Sequence, residues 1–542
     1  MEELKVERLD HLGIVSEVIK DLGIVEMIDC RIFPDEQEEI TTGEAIAGMI
    51  LNGLGFSNRP MTLTPQFFEN KPLDILFREG IEASYFNRFK LGRSLDDVFT
   101  YDCTSLFSEI SFSVCKQESI DLCFNHLDTT SISVTGDYLP DPNSDEKTII
   151  LKHGYSKDHR PDLKQAVLEM IVSQDGGIPF FSKAWDGNAS DNNIFKERSE
   201  KIIEQFKESE TPRYLVADSK LYIKDNAGNL AQVAFITRIH GNIKLEREVI
   251  DKAWDEDQWE SIDENSRFQC FYITHYGIRQ RWLVVYSDAA FQRAEKTIEK
   301  AKNREYEKVG KQLFHLQAER FESEEAAGNA LEKVVAGLKY HKLDNSKLIR
   351  HIKYSKPGKP TADTQVKAVL YQIKADVIAD PDKLIKEQKR KTCFIVGTNI
   401  KYTELSDKEV IEGYKGQDKV ERGFRFIKDP FFFTSSFFVT KPSRVQALLM
   451  VMTLALLVYS VAQRRLRKAL QEQRETIPNQ INQPTSTPTL RWVFQLFEGI
   501  HRVKIYMEGE YKTIIDGLTD LRKKILMLFG QKVCQTYQIF TT

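Results

Sequence analysis

Apolar residues follow two different spacings along the chain, and the change of spacing divides it into regions. Over residues 9–28 and 42–55 they recur at helical spacing, which predicts a helical N-terminal region. From residue 122 onward, short apolar runs bounded by turn residues predict strands. The predicted strands are 122–134, 165–173, 178–184, 213–218 and 233–239, and helices are predicted at 192–207 and 219–230. This pattern predicts an α/β core after a helical segment.

The stretch 241–398 is too long for a loop and predicts a separate domain. A hairpin, a long charged helix at 288–321 and a second helix at 324–338 precede the later strand candidates 348–355, 366–375 and 393–398. The run 447–462 is almost wholly apolar. A spanning helix needs about 20 such residues, so we interpret this run as a buried core helix.

Residues 414–428 are interpreted as a single amphipathic helix. At about 100° per residue, Tyr414, Gln417, Glu421 and Lys428 fall in one polar stripe beside an apolar one. This arrangement suits a reaction on a polyanion, because a carboxylate is flanked by groups that bind phosphate. An ordinary helix with a solvated charged face has the same spacing.

Two aspartates strengthen the catalytic interpretation. Asp128 and Asp218 each lie at the end of an apolar run, where α/β sheets place active-site groups. With Glu421 they supply three carboxylates from distant segments. Crowded together they would repel one another, and two Mg²⁺ ions about 3.5–4 Å apart would relieve that repulsion.

These residues resemble the DDE transposases of bacterial insertion sequences. Their branch carries a Tyr-(2)-Arg-(3)-Glu-(6)-Lys signature, matched here by Tyr414, Gln417, Glu421 and Lys428 with Gln417 in place of arginine. Residues 153–162 and 215–219 support the resemblance, which covers roughly residues 1–465. The departure at Gln417 predicts that Gln417→Arg retains or raises activity.

The resemblance implies a ribonuclease-H-like catalytic core interrupted by an α+β insertion domain, with a helical N-terminal domain. The implied domains are 1–112 for DNA-end binding, 113–240 and 399–470 for the core, 241–398 for the insertion, and 471–542 for a linker and helical tail. From residues alone, 1–112 also fits a dimerisation or packing module. The implied function is metal-dependent cleavage at insertion-sequence ends and strand transfer into target DNA. A ribonuclease-H-like nuclease and a catalytically decayed relative are the alternatives.

The implied site has three catalytic, metal-binding acids: Asp128, Asp218 and Glu421. Two Mg²⁺ ions are expected, with Mn²⁺ able to substitute. The expected DNA phosphate contacts are Tyr414, Gln417, Lys428, Arg422, Arg425, Ser156, Lys157 and Arg160. The last three lie in a basic loop that could equally be a solvated surface. The implied partner is double-stranded DNA, both transposon ends and target, bound by a homodimer in the synaptic complex.

Composition and charge indicate the cellular compartment and the kind of partner to expect. The net charge of −4 gives no global signal for nucleic acid, so DNA contacts must come from local patches. Seven cysteines without a CxxC pair or a Cys/His cluster argue against zinc and disulfides and favour a reducing cytoplasm. The acidic first residues lack the apolar segment of a signal peptide. We therefore expect a cytoplasmic protein without a membrane partner.

Overall fold

The structure, a computed structural model, describes residues 4–56, 60–138, 147–191, 193–194, 196–198, 213–355, 359, 365–430, 439–507 and 510–539. The chain divides into two compact units. The first unit comprises Met1–Thr237 and Glu412–Thr542, and the second comprises Arg238–Ile411.

The regular elements are numbered here in chain order. The strands are β1 (Leu4–Arg8), β2 (Phe124–Val134), β3 (Lys164–Ser173), β4 (Pro179–Trp185), β5 (Tyr214–Ala217), β6 (Phe235–Arg238), β7 (Glu260–Asp263), β8 (Ser266–His275), β9 (Ile278–Ser287), β10 (His341–Tyr354), β11 (Val366–Ala379), β12 (Cys393–Thr398), β13 (Ile477–Pro478), β14 (Pro484–Thr485), β15 (His501–Met507) and β16 (Glu510–Asp516). The helices are α1 (Leu12–Asp21), α2 (Ile24–Asp29), α3 (Thr42–Leu54), α4 (Thr64–Phe68), α5 (Leu73–Leu76), α6 (Arg88–Tyr101), α7 (Cys103–Gln117), α8 (Ala227–Leu230), α9 (Lys244–Glu256), α10 (Asp288–Ala318), α11 (Glu324–Ala336), α12 (Pro381–Lys391), α13 (Asp407–Lys415), α14 (Asp418–Ile427), α15 (Pro442–Glu472), α16 (Leu490–Leu496), α17 (Asp520–Phe529) and α18 (Gln531–Thr536).

A mixed sheet carries the core of the first unit, with strand order β4-β3-β2-β5-β6. β2, β3 and β4 pair antiparallel, whereas β5 runs parallel to β2 and to β6. The parallel register places Leu127 opposite Ala217. The residues that follow this pair are Asp128 and Asp218, which therefore also lie next to each other. The α/β class and the five predicted strands are confirmed, with small shifts at their ends.

The helix predictions within this region fare differently. Over 219–230 only α8 is α-helical, preceded by a 3₁₀ turn at Lys224–Asn226, so the predicted helix is too long. Most of the helix predicted at 192–207 lies outside the described residues. Those described between 191 and 198 are helical.

The apolar run near the C-terminal side forms the buried part of α15. Pro442 begins this helix, where a proline costs no hydrogen bond. Within the described chain it is the one helix long and apolar enough to cross a membrane, and 83% of its most apolar stretch is buried. It packs on β4 and on α1, α3, α6 and α7. The prediction of a buried core helix is confirmed.

The chain ends meet in a small sheet that the sequence did not predict. β1 pairs antiparallel with β15, which pairs with β16. Residues 1–112 are thus not wholly helical. The tail predicted as helical within 471–542 also contains β15 and β16, and α17 begins only at Asp520. The predicted linker also contains the β13–β14 pair. A strand whose partner lies almost 500 positions away leaves no local signal.

The single helix expected over 414–428 is also wrong. α13 ends at Lys415 and α14 begins at Asp418, with a turn at Gly416 and Gln417. A Cβ on Gly416 would lie 2.7 Å from the ring of His126, so the close approach to β2 requires glycine. Glycine also weakens a helix, so the chain breaks here.

The second unit is built around an antiparallel sheet with the order β12-β9-β8-β7. β10 and β11 form a separate long hairpin. A small core of Val309, Leu313, Ala327, Leu338, Ile373 and Ala375 joins this hairpin to α10 and α11. The predicted long charged helix is α10, and the three later strand candidates are β10, β11 and β12.

Candidate active site

Asp128, in the middle of β2, lies beside Asp218, the residue that follows the end of β5. Burial raises the pKa of Asp128 to about 6, and the negative charge of Asp218 adds to this effect. Burial also raises the pKa of Asp218. Two neighbouring carboxylates that are both hard to ionise form a site that favours a bound cation.

Two lysines and a third aspartate complete this cluster. Lys157 Nζ lies 4.0 Å from Asp128 Oδ1 and 3.9 Å from Asp191 Oδ2. Lys220 forms an ion pair with Asp191, which also accepts a 2.5 Å hydrogen bond from Thr129 Oγ1. Although burial opposes it, the hydrogen bonds from Lys220 and Thr129 hold the pKa of Asp191 below its usual value. The cluster thus holds three carboxylates and two ammonium groups.

Sequence reasoning missed Asp191 and Lys220. Lys220 stands two residues after Asp218 at the same strand end, and this proximity could have identified it. Asp191 stands 63 positions after Asp128, on no predicted strand, and nothing in its local sequence marks it. Lys157, predicted as a phosphate contact in a basic loop, reaches into the cluster and donates to Thr129. Its contact with DNA stays a prediction.

Glu421 lies on α14, whose apolar face is buried through Val420, Phe424 and Ile427. Its own side chain is exposed. Over the described ranges, no three His, Cys, Asp or Glu side chains are close enough to hold a metal ion. The structure therefore brings Asp128 and Asp218 together and leaves Glu421 apart from them, and its role as a metal ligand stays a prediction.

The two paired acids fit a divalent cation. Carboxylate oxygens are the ligands that Mg²⁺ prefers, and a cation between two half-buried like charges offsets their repulsion. Contacts on both sides of Glu421 hold α14 against β2 and the loop that follows it. Gln417 Nε2 donates to Leu127 O at 3.1 Å, and Lys428 Nζ lies 2.6 Å from Asp158 Oδ1, beside Lys157.

Gln417 is a buried structural residue rather than an exposed phosphate contact. Its side-chain oxygen lies 3.3 Å from Nδ1 of His126, while its amide nitrogen bonds the strand backbone. His126 Nε2 in turn lies 3.1 Å from Gln174 Oε1, and burial lowers the pKa of His126 to about 4. Both ends of the Gln417 amide are engaged, so its assignment as a phosphate contact is corrected.

The expectation for Gln417→Arg is therefore reversed. Arginine would place an unpaired guanidinium between α14 and β2, and we expect it to destabilise the protein by about 2–4 kcal/mol. Thermal denaturation measures this as a lower midpoint. The control is Arg422→Gln, a change at an exposed residue of α14. A midpoint equal to that of wild type, with activity retained or raised, would return Gln417 to the DNA-binding surface.

The remaining predicted phosphate contacts lie on the loop between β2 and β3, on α13 and on α14. Arg160 pairs with Asp162 at 2.7 Å, and Ser156 Oγ accepts from the Arg160 backbone. Arg422 pairs with Asp418 at 2.7 Å. Arg425 is exposed and Tyr414 is half-buried. Their contacts with DNA stay predictions.

Comparison with known families identifies the chain. A family model described as a transposase DDE domain matches residues 123–458, more than half of the chain and the whole span from Asp128 to Glu421. The chain belongs to the DDE transposase family. A second model, described as a domain of unknown function (DUF4277), matches residues 4–112 of this transposase.

Two further comparisons complete the picture of this transposase. No curated protein matches it. Five chains of solved structures do, among them the piggyBac transposase in a synaptic complex with hairpin DNA. That chain is 10% identical, with a TM-score of 0.35, and the match covers 92% of this transposase and 82% of that chain.

Family membership establishes the function at a coarse level. The protein is a transposase, an enzyme of DNA transposition and recombination, and its partner is DNA. Transposases of this family generally use divalent metal ions. The nuclease and decayed-copy alternatives are not favoured.

Proposed function

We propose that this transposase cleaves DNA at the ends of its insertion sequence and joins the freed strand to target DNA. The observation that carries the proposal is that Asp128 of β2 lies beside Asp218 at the end of the parallel strand β5. Burial raises the pKa of both carboxyls, and the negative charge of Asp218 adds to the shift of Asp128. Such a pair is suited to phosphodiester chemistry, because a cation bound by the two carboxylates would stabilise the negative charge that develops on the phosphate oxygens.

The reaction we propose has two transfers at phosphorus and no covalent protein intermediate. In the first, a water oxygen attacks a phosphodiester and the bond to the 3′ oxygen breaks, leaving a 3′-hydroxyl and a 5′-phosphate. In the second, that 3′-hydroxyl attacks a phosphorus of target DNA, whose own bond to a 3′ oxygen breaks. Each step forms one phosphorus–oxygen bond and breaks another.

Asp128, Asp218 and Glu421 would hold two divalent ions, Mg²⁺ with Mn²⁺ able to substitute. When bound, such ions activate the attacking oxygen and stabilise the leaving one. Lys157, from the loop after β2, would support Asp128, since its ammonium lies near both Asp128 and Asp191. Asp191 would act as a positioning residue that holds Lys157 and Lys220 beside the catalytic pair.

Several finer features belong to this proposal. The β4-β3-β2-β5-β6 sheet would be a ribonuclease-H-like core of the Tyr-Arg-Glu-Lys branch, and the unit Arg238–Ile411 its insertion domain. Residues 1–112 would bind transposon ends. Tyr414, Ser156, Arg160, Arg422, Arg425 and Lys428 would contact phosphates. The enzyme would act as a homodimer in the synaptic complex, in the cytoplasm.

The test is cleavage and strand transfer on a labelled duplex with the element's own terminal repeat, in Mg²⁺. We expect Glu421→Ala to lose both activities by about three orders of magnitude, because a metal ligand is removed. DNA binding and folding should be unchanged, since the side chain is exposed. The matched control is Glu412→Ala, an exposed glutamate on α13.

Each result of this assay has a defined meaning. Loss of both activities in Glu421→Ala alone supports the transposase mechanism and the third acid. Cleavage without joining by wild type would favour a nuclease. Equal activity in wild type and Glu421→Ala would remove Glu421 from the site.

A further inference from the structure

A basic groove of about 390 Å³ lies between α14, α15 and the turn from β3 to β4. Five cationic side chains line it: Lys419, Arg422, Arg464, Arg467 and Lys468. Among its described lining residues, Asp175 supplies the single carboxylate. We call this feature the α14–α15 groove. It does not contain the three aspartates of the catalytic cluster, but it shares the helix that carries Glu421.

The cations of the α14–α15 groove differ in how their charges are compensated. Arg464 is held by Asp175 through two hydrogen bonds of 2.8 and 2.7 Å, which fixes one wall. Lys419 donates to the backbone oxygen of Gln174, and Arg467 donates to that of Pro488 at 2.9 Å. In the part of the chain that the structure describes, neither Lys419 nor Arg467 pairs with a carboxylate.

The electrostatics of these two side chains favour an anion. Burial lowers the pKa of Lys419 and of Arg467, and the positive charge of Arg422 contributes to both shifts. Three cations from two helices therefore repel one another in a partly desolvated space. A bound anion would supply the missing charge and hydrogen-bond acceptors.

The shape of the groove suits a chain of phosphates. Gly176 and Gly177 form the turn at φ values of +79° and +67°, and a Cβ on Gly176 would lie 3.0 Å from Arg464 Cδ. The turn can thus approach the arginine closely and adds no side chain to the groove. The guanidinium group of arginine binds two oxygens of a phosphate in one plane, and three arginines line the groove next to two lysines.

We propose that the α14–α15 groove binds the phosphodiester backbone of DNA through Lys419, Arg422 and Arg467. This rests on the proposed function, in which DNA is the substrate, and adds a second contact surface to it. The duplex would then be held on the helix of Glu421 from a side that the catalytic cluster does not touch. Binding at the groove is electrostatic and independent of base sequence.

The experiment measures binding of the full chain to a short fluorescent duplex of arbitrary sequence, without metal, over a range of salt concentrations. Arg467→Gln and Lys419→Gln should each weaken binding several-fold and reduce the slope of log K against log salt by about 0.9, the value for one lost phosphate contact. Lys532→Gln, an exposed lysine on α18 with the same charge change, should match wild type.

Arg467→Lys separates the effect of the positive charge from the effect of the guanidinium geometry. It keeps the cation but loses the guanidinium fork, so we expect its salt slope to equal that of wild type. If both glutamine variants have the same affinity and salt slope as Lys532→Gln, the proposal of DNA binding at the groove is wrong. The result of the cleavage test of Glu421 does not depend on this outcome. A wild-type chain that binds no duplex would overturn the groove and the DNA substrate together.

Discussion

Asp128→Asn is expected to abolish cleavage and joining, by about three orders of magnitude, and at the same time to raise the stability of the metal-free protein. The loss of activity follows from the loss of a carboxylate beside Asp218. The gain in stability follows from burial, because asparagine fills the same space without a charge.

The pH dependence of stability has a definite sign. The pKa of Asp128 rises from 3.8 to about 6 in the fold, so between these values the folded chain binds more protons than the unfolded chain. The unfolding free energy of the metal-free wild type should therefore fall as pH rises through this window, by about 3 kcal/mol at most. Above pH 6 the penalty is complete, and Asp128→Asn should remove it.

Thermal denaturation in a chelating buffer at several pH values, together with the cleavage assay, checks both effects. We expect the midpoint of Asp128→Asn to exceed that of wild type by a few degrees at neutral pH and to converge with it near pH 4. Asp225→Asn, an exposed aspartate after β5, should change neither quantity. Full cleavage by Asp128→Asn would remove this residue from the catalytic set.

Arg502→Ala is expected to destabilise the protein by about 3–5 kcal/mol. Arg502 on β15 is 3% exposed and bonds Glu7 on β1, whose side chain is 4% exposed, at 2.6 Å. It also bonds Asp74 at 2.7 and 2.5 Å, and, although burial opposes it, these bonds lower the pKa of Asp74 to about 2. Removing the arginine leaves the buried Glu7 with one cationic partner, the exposed Lys5 at 2.9 Å, which compensates its charge only in part.

Urea denaturation gives the measurement. Lys504→Ala is the control, because Lys504 reaches only the exposed side of the same cluster, 3.4 Å from Asp74. The double change Glu7→Leu with Arg502→Met should recover most of the loss, since an apolar pair leaves no charge unpaired. A midpoint for Arg502→Ala equal to that of Lys504→Ala would mean that the ion pair between Arg502 and Glu7 contributes little to stability.

Some of these features were readable from the sequence because they depend on local spacing. The strands β2 to β6 and the helix α10 follow from apolar periodicity and turn residues, which act over a few positions. The buried part of α15 follows from an apolar run too short to span a membrane. The position of Asp218 at the end of β5 follows from where its apolar run stops, whereas β2 continues past Asp128 to Val134.

Other features needed the tertiary structure. The turn at Gly416 depends on the His126 ring, 290 positions earlier, and Gln417 is buried because it bonds the strand that carries Asp128. Local helical spacing predicted a continuous helix there, and packing against β2 overrode it. The exposure of Glu421 likewise depends on which face of α14 packs on the sheet.

The sequence by itself determined the family, the order of most core elements and the candidate pair Asp128 and Asp218. Only the tertiary structure decided that Asp191 and Lys220 join those acids, and that the first strand pairs with one near the C-terminus. The physical reason is the distance along the chain over which each signal acts. Periodicity reports which face of an element is apolar, whereas ion pairs and strand pairing between distant segments depend on how the faces meet.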